Sequence, residues 1–165
     1  GGTAYQGIQC LSSATRGVRS SDENGDTTDM AFITFASTGS ATDFGDYINT
    51  TYMSGTASNG IRGIFAGGWN PHLGSYDDKH IGYITIASTG SATSFGDLTK
   101  LGPGTGVANH TRGVFRRQNP ATNIHVIDSV HYATTGDAVD FGEMSGNHQS
   151  SGIAASDSHG GLGGY

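Results

Sequence analysis

Residues Ile33 to Asp46 (ITFASTGSATDFGD) are written again at Ile84 to Asp97 with twelve of fourteen positions identical, and a looser copy runs from Val130 to Glu143 (VHYATTGDAVDFGE). The copies begin 51 and then 46 residues apart. A second motif lies between them, Arg-Gly followed by Val or Ile, at Arg16, Arg62 and Arg112. Self-similarity at a period of about 40–50 residues marks repeat architectures, and propeller blades in particular when the units read as strands. A chain built this way must bury its apolar faces between successive units, because one unit cannot do so alone.

The unit reads as β-structure. Ile84 and Ile86 flank Thr85, Ile33 and Phe35 flank Thr34, and Val130 and Tyr132 flank His131. Period-two alternation of β-branched and aromatic residues predicts a half-buried strand. Thr-Gly follows at Thr38-Gly39, Thr89-Gly90 and Thr135-Gly136, a turn signal. The chain then returns through Asp43-Phe44-Gly45-Asp46, Ser94-Phe95-Gly96-Asp97 or Asp140-Phe141-Gly142-Glu143, which predicts a short fourth strand whose Phe44, Phe95 or Phe141 packs inward. A Gly/Ser/Asn-rich connector, long enough to hold a first strand, leads to the Arg-Gly strand. No apolar run at helical spacing is present, so little or no helix is expected. The phase divides one domain, 1–165, into a half-unit at 1–19 and repeats at about 20–68, 69–117 and 118–165. Ser150–Tyr165 matches the same half-unit as 1–19. The expected fold is therefore all-β, with three full four-stranded repeats and a terminal half-unit. Incomplete closure leaves strand edges, and unpaired edges are templates for another chain. Other copies of the chain, or neighbouring assembly proteins, are the expected partners.

Composition excludes several classes. The net charge is −6 with only 8 Lys and Arg, and no basic cluster exceeds Arg116-Arg117, so a nucleic-acid face is not expected. No stretch approaches the roughly 20 apolar residues of a membrane span, so membrane insertion is not expected either. With Cys10 alone, an intrachain disulfide is impossible.

A strand ending in Gly-Gly, a loop, an alternating strand with an aromatic, a turn and an aromatic closing strand together resemble the kelch-type propeller blade. Phe65-Ala66-Gly67-Gly68 stands at the double glycine, Tyr83-Ile84-Thr85-Ile86 at the third strand, and Phe95 at the fourth-strand aromatic. The first and third units depart from it, with Arg19-Ser20 and Arg116-Arg117 after the strand. The wording ITIASTGSATSFGDL, a connector and then TRGVF is similar to repeat arrays in structural and tail-fibre-like proteins of tailed phages. That resemblance covers 28–145 and implies a structural role on a virion or an extracellular surface, with no catalytic residues to carry over.

The candidate sites are few. Trp69-Asn70-Pro71-His72-Leu73-Gly74-Ser75-Tyr76 gathers the only Trp with a Tyr in a chain of small residues. Trp69, His72 and Tyr76 suit contact with sugars or protein, including cell-surface glycans; equally, Trp69 could fill a gap between units. Asp22, Asn24 and Asp26 alternate as calcium ligands do, but the twelfth position of such a loop falls on Ile33, which favours a polar turn. No cofactor is expected beyond that calcium candidate. Seven histidines form no HxH, HxxxH or HExxH pattern, which favours hydrogen-bonding roles over metal ligation. Asn49-Thr50-Thr51 and Asn109-His110-Thr111 fit the N-glycosylation pattern. Arg16, Arg62 and Arg112 recur with the repeat and are expected to tie units together through carbonyls or through repeat acids such as Asp46 and Asp97. The function expected is a structural or adhesive component of a virion or extracellular assembly. A lectin-like glycan-binding module is the alternative. A propeller-scaffold enzyme such as a glycosidase is the least favoured, since the acids are locked to the repeat rather than paired.

Overall fold

A computed structural model describes residues 9–20, 27–51, 54–70, 75–102, 104–117 and 125–145. The calcium candidate at Asp22, Asn24 and Asp26, the loop at His72 and the closing half-unit at Ser150–Tyr165 lie outside these residues. The described residues form no helix. They form three four-stranded sheets in chain order, each an antiparallel meander. Sheet 1 holds β1 (Gln9–Ser12), β2 (Arg16–Ser20), β3 (Asp29–Thr34) and β4 (Thr42–Asp46). Sheet 2 holds β5 (Gly55–Ser58), β6 (Arg62–Asn70), β7 (Ser75–Thr85) and β8 (Thr93–Asp97). Sheet 3 holds β9 (Gly104–Ala108), β10 (Arg112–Arg117), β11 (Val126–His131) and β12 (Val139–Glu143). The connector supplies the first strand of each unit, the Arg-Gly motif opens the second, and the long repeated segment spans the end of the third strand and the whole of the fourth.

The first hairpin of each unit turns on one side chain. Asn59 Oδ1 accepts the N–H groups of Ile61 and Arg62 at 3.0 and 2.8 Å, and Asn109 Oδ1 accepts those of Thr111 and Arg112 at 2.9 and 2.8 Å. Ser13 Oγ does the same for Thr15 and Arg16. These short polar side chains stand in for a backbone acceptor, which is why they favour turns.

The last strand pair of each unit carries a bulge at the same place. Met30 pairs with Gly45 and Ala31 with Asp43, leaving Phe44 as the extra residue. Phe95 and Phe141 are skipped in the same way in the β7–β8 and β11–β12 pairs. A bulge bends its strand and re-aims a side chain. The glycine that follows, Gly45, Gly96 or Gly142, takes φ of 128°, 157° or 143°, a region open to glycine. Asp43 and Asp140 brace two of the bulges by accepting the N–H of Gly45 and Gly142 at 3.1 and 2.8 Å.

The sheets stack face on face, and the core lies between them. Leu11, Val18, Met30, Phe44, Tyr47, Phe65, Ile84 and Ile86 fill the space between sheets 1 and 2. Ile64, Ala66, Ile81, Phe95, Leu98, Phe115, Val130 and Tyr132 fill the space between sheets 2 and 3. Neighbours on β6, Ile64 and Phe65, point into different cores, so the middle sheet is covered on both faces. Sheets 1 and 3 each have one covered face. The inward packing expected of every copy consequently fails at two places: Ile33 and Phe35 on sheet 1, and Phe141 on sheet 3, are exposed. Their sequence is that of the buried copies, but no sheet of the described residues lies against them.

The bulge glycines give a test. A Cβ at Gly96 would overlap the carbonyl of Gly136, whereas a Cβ at Gly142 meets nothing within 4 Å. Both sit at positive φ and share that strain. Gly96→Ala is expected to cost about 3 kcal/mol or more and Gly142→Ala about 1–2 kcal/mol in urea unfolding. Equal losses would show that the contact between sheets contributes nothing.

Candidate functional site

Two of the three repeated arginines, Arg16 and Arg62, lie where one sheet meets the next. Arg16 Nη1 donates to the carbonyls of Ala87 and Ile86 at 2.8 and 3.2 Å. Arg62 Nη1 donates to Tyr132 O at 2.6 Å. Each guanidinium also lies over a ring of its own sheet, Arg16 at 4.6 Å from the Phe32 centroid and Arg62 at 4.8 Å from that of Tyr83. Arg112 lies over Phe141 at 5.8 Å and reaches His131 Nε2 at 3.3 Å. A planar fork suits a site that needs stacking and several bonds together. The partners in the next sheet are carbonyls; Asp46 instead accepts from Thr28 Oγ1 at 2.9 Å, and Asp97 lies 3.6 Å from His80 Nδ1.

The backbone around the bulge completes the contact. Gly90 N–H donates to Phe44 O and Ala92 N–H to Asp46 O, both at 2.7 Å. Between sheets 2 and 3 the same pair recurs, from Gly136 to Phe95 at 2.7 Å and from Ala138 to Asp97 at 2.8 Å. In return Asp46 N–H donates to Ser91 Oγ, and Asp97 N–H to Asp137 Oδ1. Thr56 and Ser58 hydroxyls donate to Cys10 O and Ser12 O, joining the first strands of sheets 1 and 2.

Two features depart from the repeat. The first is the β6–β7 hairpin, whose strands run to Asn70 and from Ser75, longer than their counterparts in sheets 1 and 3. Half-buried Trp69 sits near its tip and Tyr76 falls within β7. Thus the fold brings the strands carrying Trp69 and Tyr76 side by side at the end of the longest hairpin.

The second is a buried charge cluster that the sequence reading passed over. Arg117 is fully buried, Nη1 donates to Ala66 O at 3.3 Å, and Nε and Nη2 have no hydrogen-bond partner among the described residues. Burial draws its pKa down to about 10, against the opposing pull of Asp128 and Asp78, so it stays charged at neutral pH. Asp128, also buried, accepts from Thr99 N–H and Oγ1 at 3.0 and 2.6 Å, and Asp78 accepts from Asn49 Nδ2 at 2.8 Å. Burial, and then the Asp78 charge, push the Tyr47 phenol well above its usual range. The guanidinium occupies the space where Gly67, at φ 62°, would carry a Cβ. The double glycine of the second unit therefore accommodates the arginine of the third. The doublet Arg116-Arg117 and the Phe65–Gly68 run were both visible in the sequence, but nothing linked them.

Of the glycosylation patterns, Asn109 spends its carbonyl oxygen on a turn and Asn49 spends its amide on Asp78. No group of three or more His, Cys, Asp or Glu among the described residues could hold a metal ion. No family model matches the chain, and no curated protein matches its sequence.

Substitutions at Arg62 and Arg19 test the role of the repeated arginines. Arg62→Ala is expected to lower stability by about 2 kcal/mol, from a charged hydrogen bond and a stacked ring, and Arg62→Lys should recover little of it. Arg19→Ala, on the exposed side of β2, should cost no more than about 0.5 kcal/mol. Equal, negligible shifts in thermal midpoint would refute the role. Separately, Asp128→Asn leaves Arg117 with less counter-charge and is expected to cost about 1.5–3 kcal/mol; an unchanged midpoint would mean that the buried charges do not interact.

Proposed function

We propose that the chain is a structural or adhesive component of a virion or another extracellular assembly, built on kelch-like, propeller-type repeats. The observation that carries this reading is where the repeat residues go. In the first two units, arginine, bulge phenylalanine, glycine and acid are spent on joining one sheet to the next. A scaffold of this kind acts by presenting loops, and many copies make avidity out of weak contacts. The similarity of its wording to phage tail-fibre-like arrays supports the same reading. Antibody raised to the purified chain is expected to label the outer surface of intact particles or cells from its source in immunogold electron microscopy. Label confined to the cell interior would sink the proposal.

A glycan-binding role is the second reading, favoured by the long hairpin that carries Trp69. An aromatic ring next to the end of a long strand pair suits stacking against a sugar ring. On a glycan array, Trp69→Ala should weaken any bound sugar at least about tenfold, as loss of an aromatic anchor does elsewhere, with the thermal midpoint held. Binding unaffected by this change, or absent from the wild type, would remove the lectin reading and leave the scaffold one standing.

A further inference from the structure

The described sheets present two unlike outer faces, and each is one half of a contact that the molecule already makes twice. On the outer face of sheet 3, Phe141 is 53 % exposed, while Phe44 and Phe95 at the same bulge are 1 % and 4 % exposed. Arg112 beside it reaches no carbonyl of another sheet among the described residues, unlike Arg16 and Arg62. A Cβ at Gly45 or Gly96 would run into the backbone of the following sheet, and one at Gly142 meets open space. On the outer face of sheet 1, Ile33 and Phe35 are 45 % and 55 % exposed, where Ile84, Ile86, Val130 and Tyr132 are buried against the preceding sheet. Among the described residues, sheet 3 thus has no follower and sheet 1 no predecessor.

We propose that a second copy of this chain docks its sheet 1 onto sheet 3, head to tail, repeating the contact between sheets 1 and 2. The copy is the favoured occupant because it carries the whole of the other half: apolar residues in the right strand, the Thr-Gly turn and the free carbonyls. Positional equivalence names the bonds. Arg112 donates to the carbonyls of the second copy's Phe35 and Ala36, as Arg16 does to Ile86 and Ala87. The second copy's Gly39 and Ala41 N–H groups donate to Phe141 O and Glu143 O, as Gly90 and Ala92 do to Phe44 and Asp46. Glu143 N–H donates to the second copy's Ser40 Oγ, as Asp46 N–H does to Ser91 Oγ. The contact is heterologous, so it either closes into a ring or runs on. The described sheets of two copies number six, within the range of about four to eight blades in closed propellers, and a two-chain ring would cover both faces at once. The proposal stands on sheet geometry and not on where the protein works, so it can fail while the scaffold role holds, and the reverse.

The test is sedimentation velocity on the purified 165-residue chain over a dilution series. The wild type is expected to show a mass above one chain. Phe35→Asp blocks the face of sheet 1 and Phe141→Asp that of sheet 3; both residues are exposed, so circular dichroism and thermal midpoint should hold. Each variant alone should associate at least about tenfold more weakly, as loss of a central aromatic contact does elsewhere. Mixed, they should form a 1:1 pair, because the intact sheet 1 of one meets the intact sheet 3 of the other. Gly142→Ala, with room in the single chain but none in the contact, should also lose association. If Phe141→Asp does not fold, Arg112→Ala takes its place. A single-chain mass at every concentration, association that survives either block, or variants that do not pair when mixed would each overturn the proposal.

Discussion

Everything in this fold depends on the bulge that turns Phe44, Phe95 and Phe141 out of register. It places one phenylalanine carbonyl and one acid carbonyl where the next sheet's turn can donate to them, at 2.7–2.8 Å. The same distortion sends the ring into the inter-sheet core at Phe44 and Phe95. An outer strand would otherwise present a row of unpaired groups, which is a hazard in any sheet protein. Here the edge is used up by its neighbour. Glycine is required at the next position for two reasons, positive φ and the backbone that lies against it, and only the second depends on a neighbouring sheet.

The contact is nearest-neighbour in character, as in solenoids and other repeat arrays. Sheet 2 is held from both sides, and its β6 is buried through Gly68. Sheets 1 and 3 are held from one side. This gradient explains why identical words behave differently. Ile84 and Ile33 occupy the same place in their strands, yet one is buried and the other open. Burial here is a property of order in the stack and not of the local sequence. Arg117 adds a contact outside the repeat: it can be buried only because Gly67 leaves room, and Asp128 and Asp78 offset part of the cost of its charge.

The strand content and the four-strand unit were legible because period-two alternation and the turn signals are local. The first strand of each unit, in the Gly/Ser/Asn connector, was inferable only from spare length. Its small residues suit it, since Thr56 and Ser58 reach backbone carbonyls of β1. The bulge was not legible: Asp-Phe-Gly-Asp reads as an ordinary short strand, and nothing in a one-dimensional pattern says that Phe44 is skipped in the pairing. The exposure of Phe141 was hidden for the opposite reason. Its word is complete, and what is missing is the neighbour. Arg117 was hidden because its compensating partners lie far off in sequence, on β7 and β11.

The same logic separates scaffold from function. In the first two units the recurring arginine, bulge phenylalanine and glycine serve the stack. Chemistry that serves something else must sit where the units differ. Here that is the β6–β7 hairpin, whose pairing shifts register on either side of Gly68 and whose strands are longer than the described parts of their counterparts β2, β3, β10 and β11. Two unmatched faces at the ends and one unmatched hairpin in the middle are what remains once the repeat has been subtracted. The end faces have the chemistry of the chain itself, apolar side chains and backbone acceptors in register. The hairpin does not, because no other unit carries a Trp and no other described strand pair reaches its length. Under the proposed docking, a surface that copies the chain's own interior meets a second copy, and the hairpin, which copies nothing in the chain, is where the second proposed role, glycan contact, would sit.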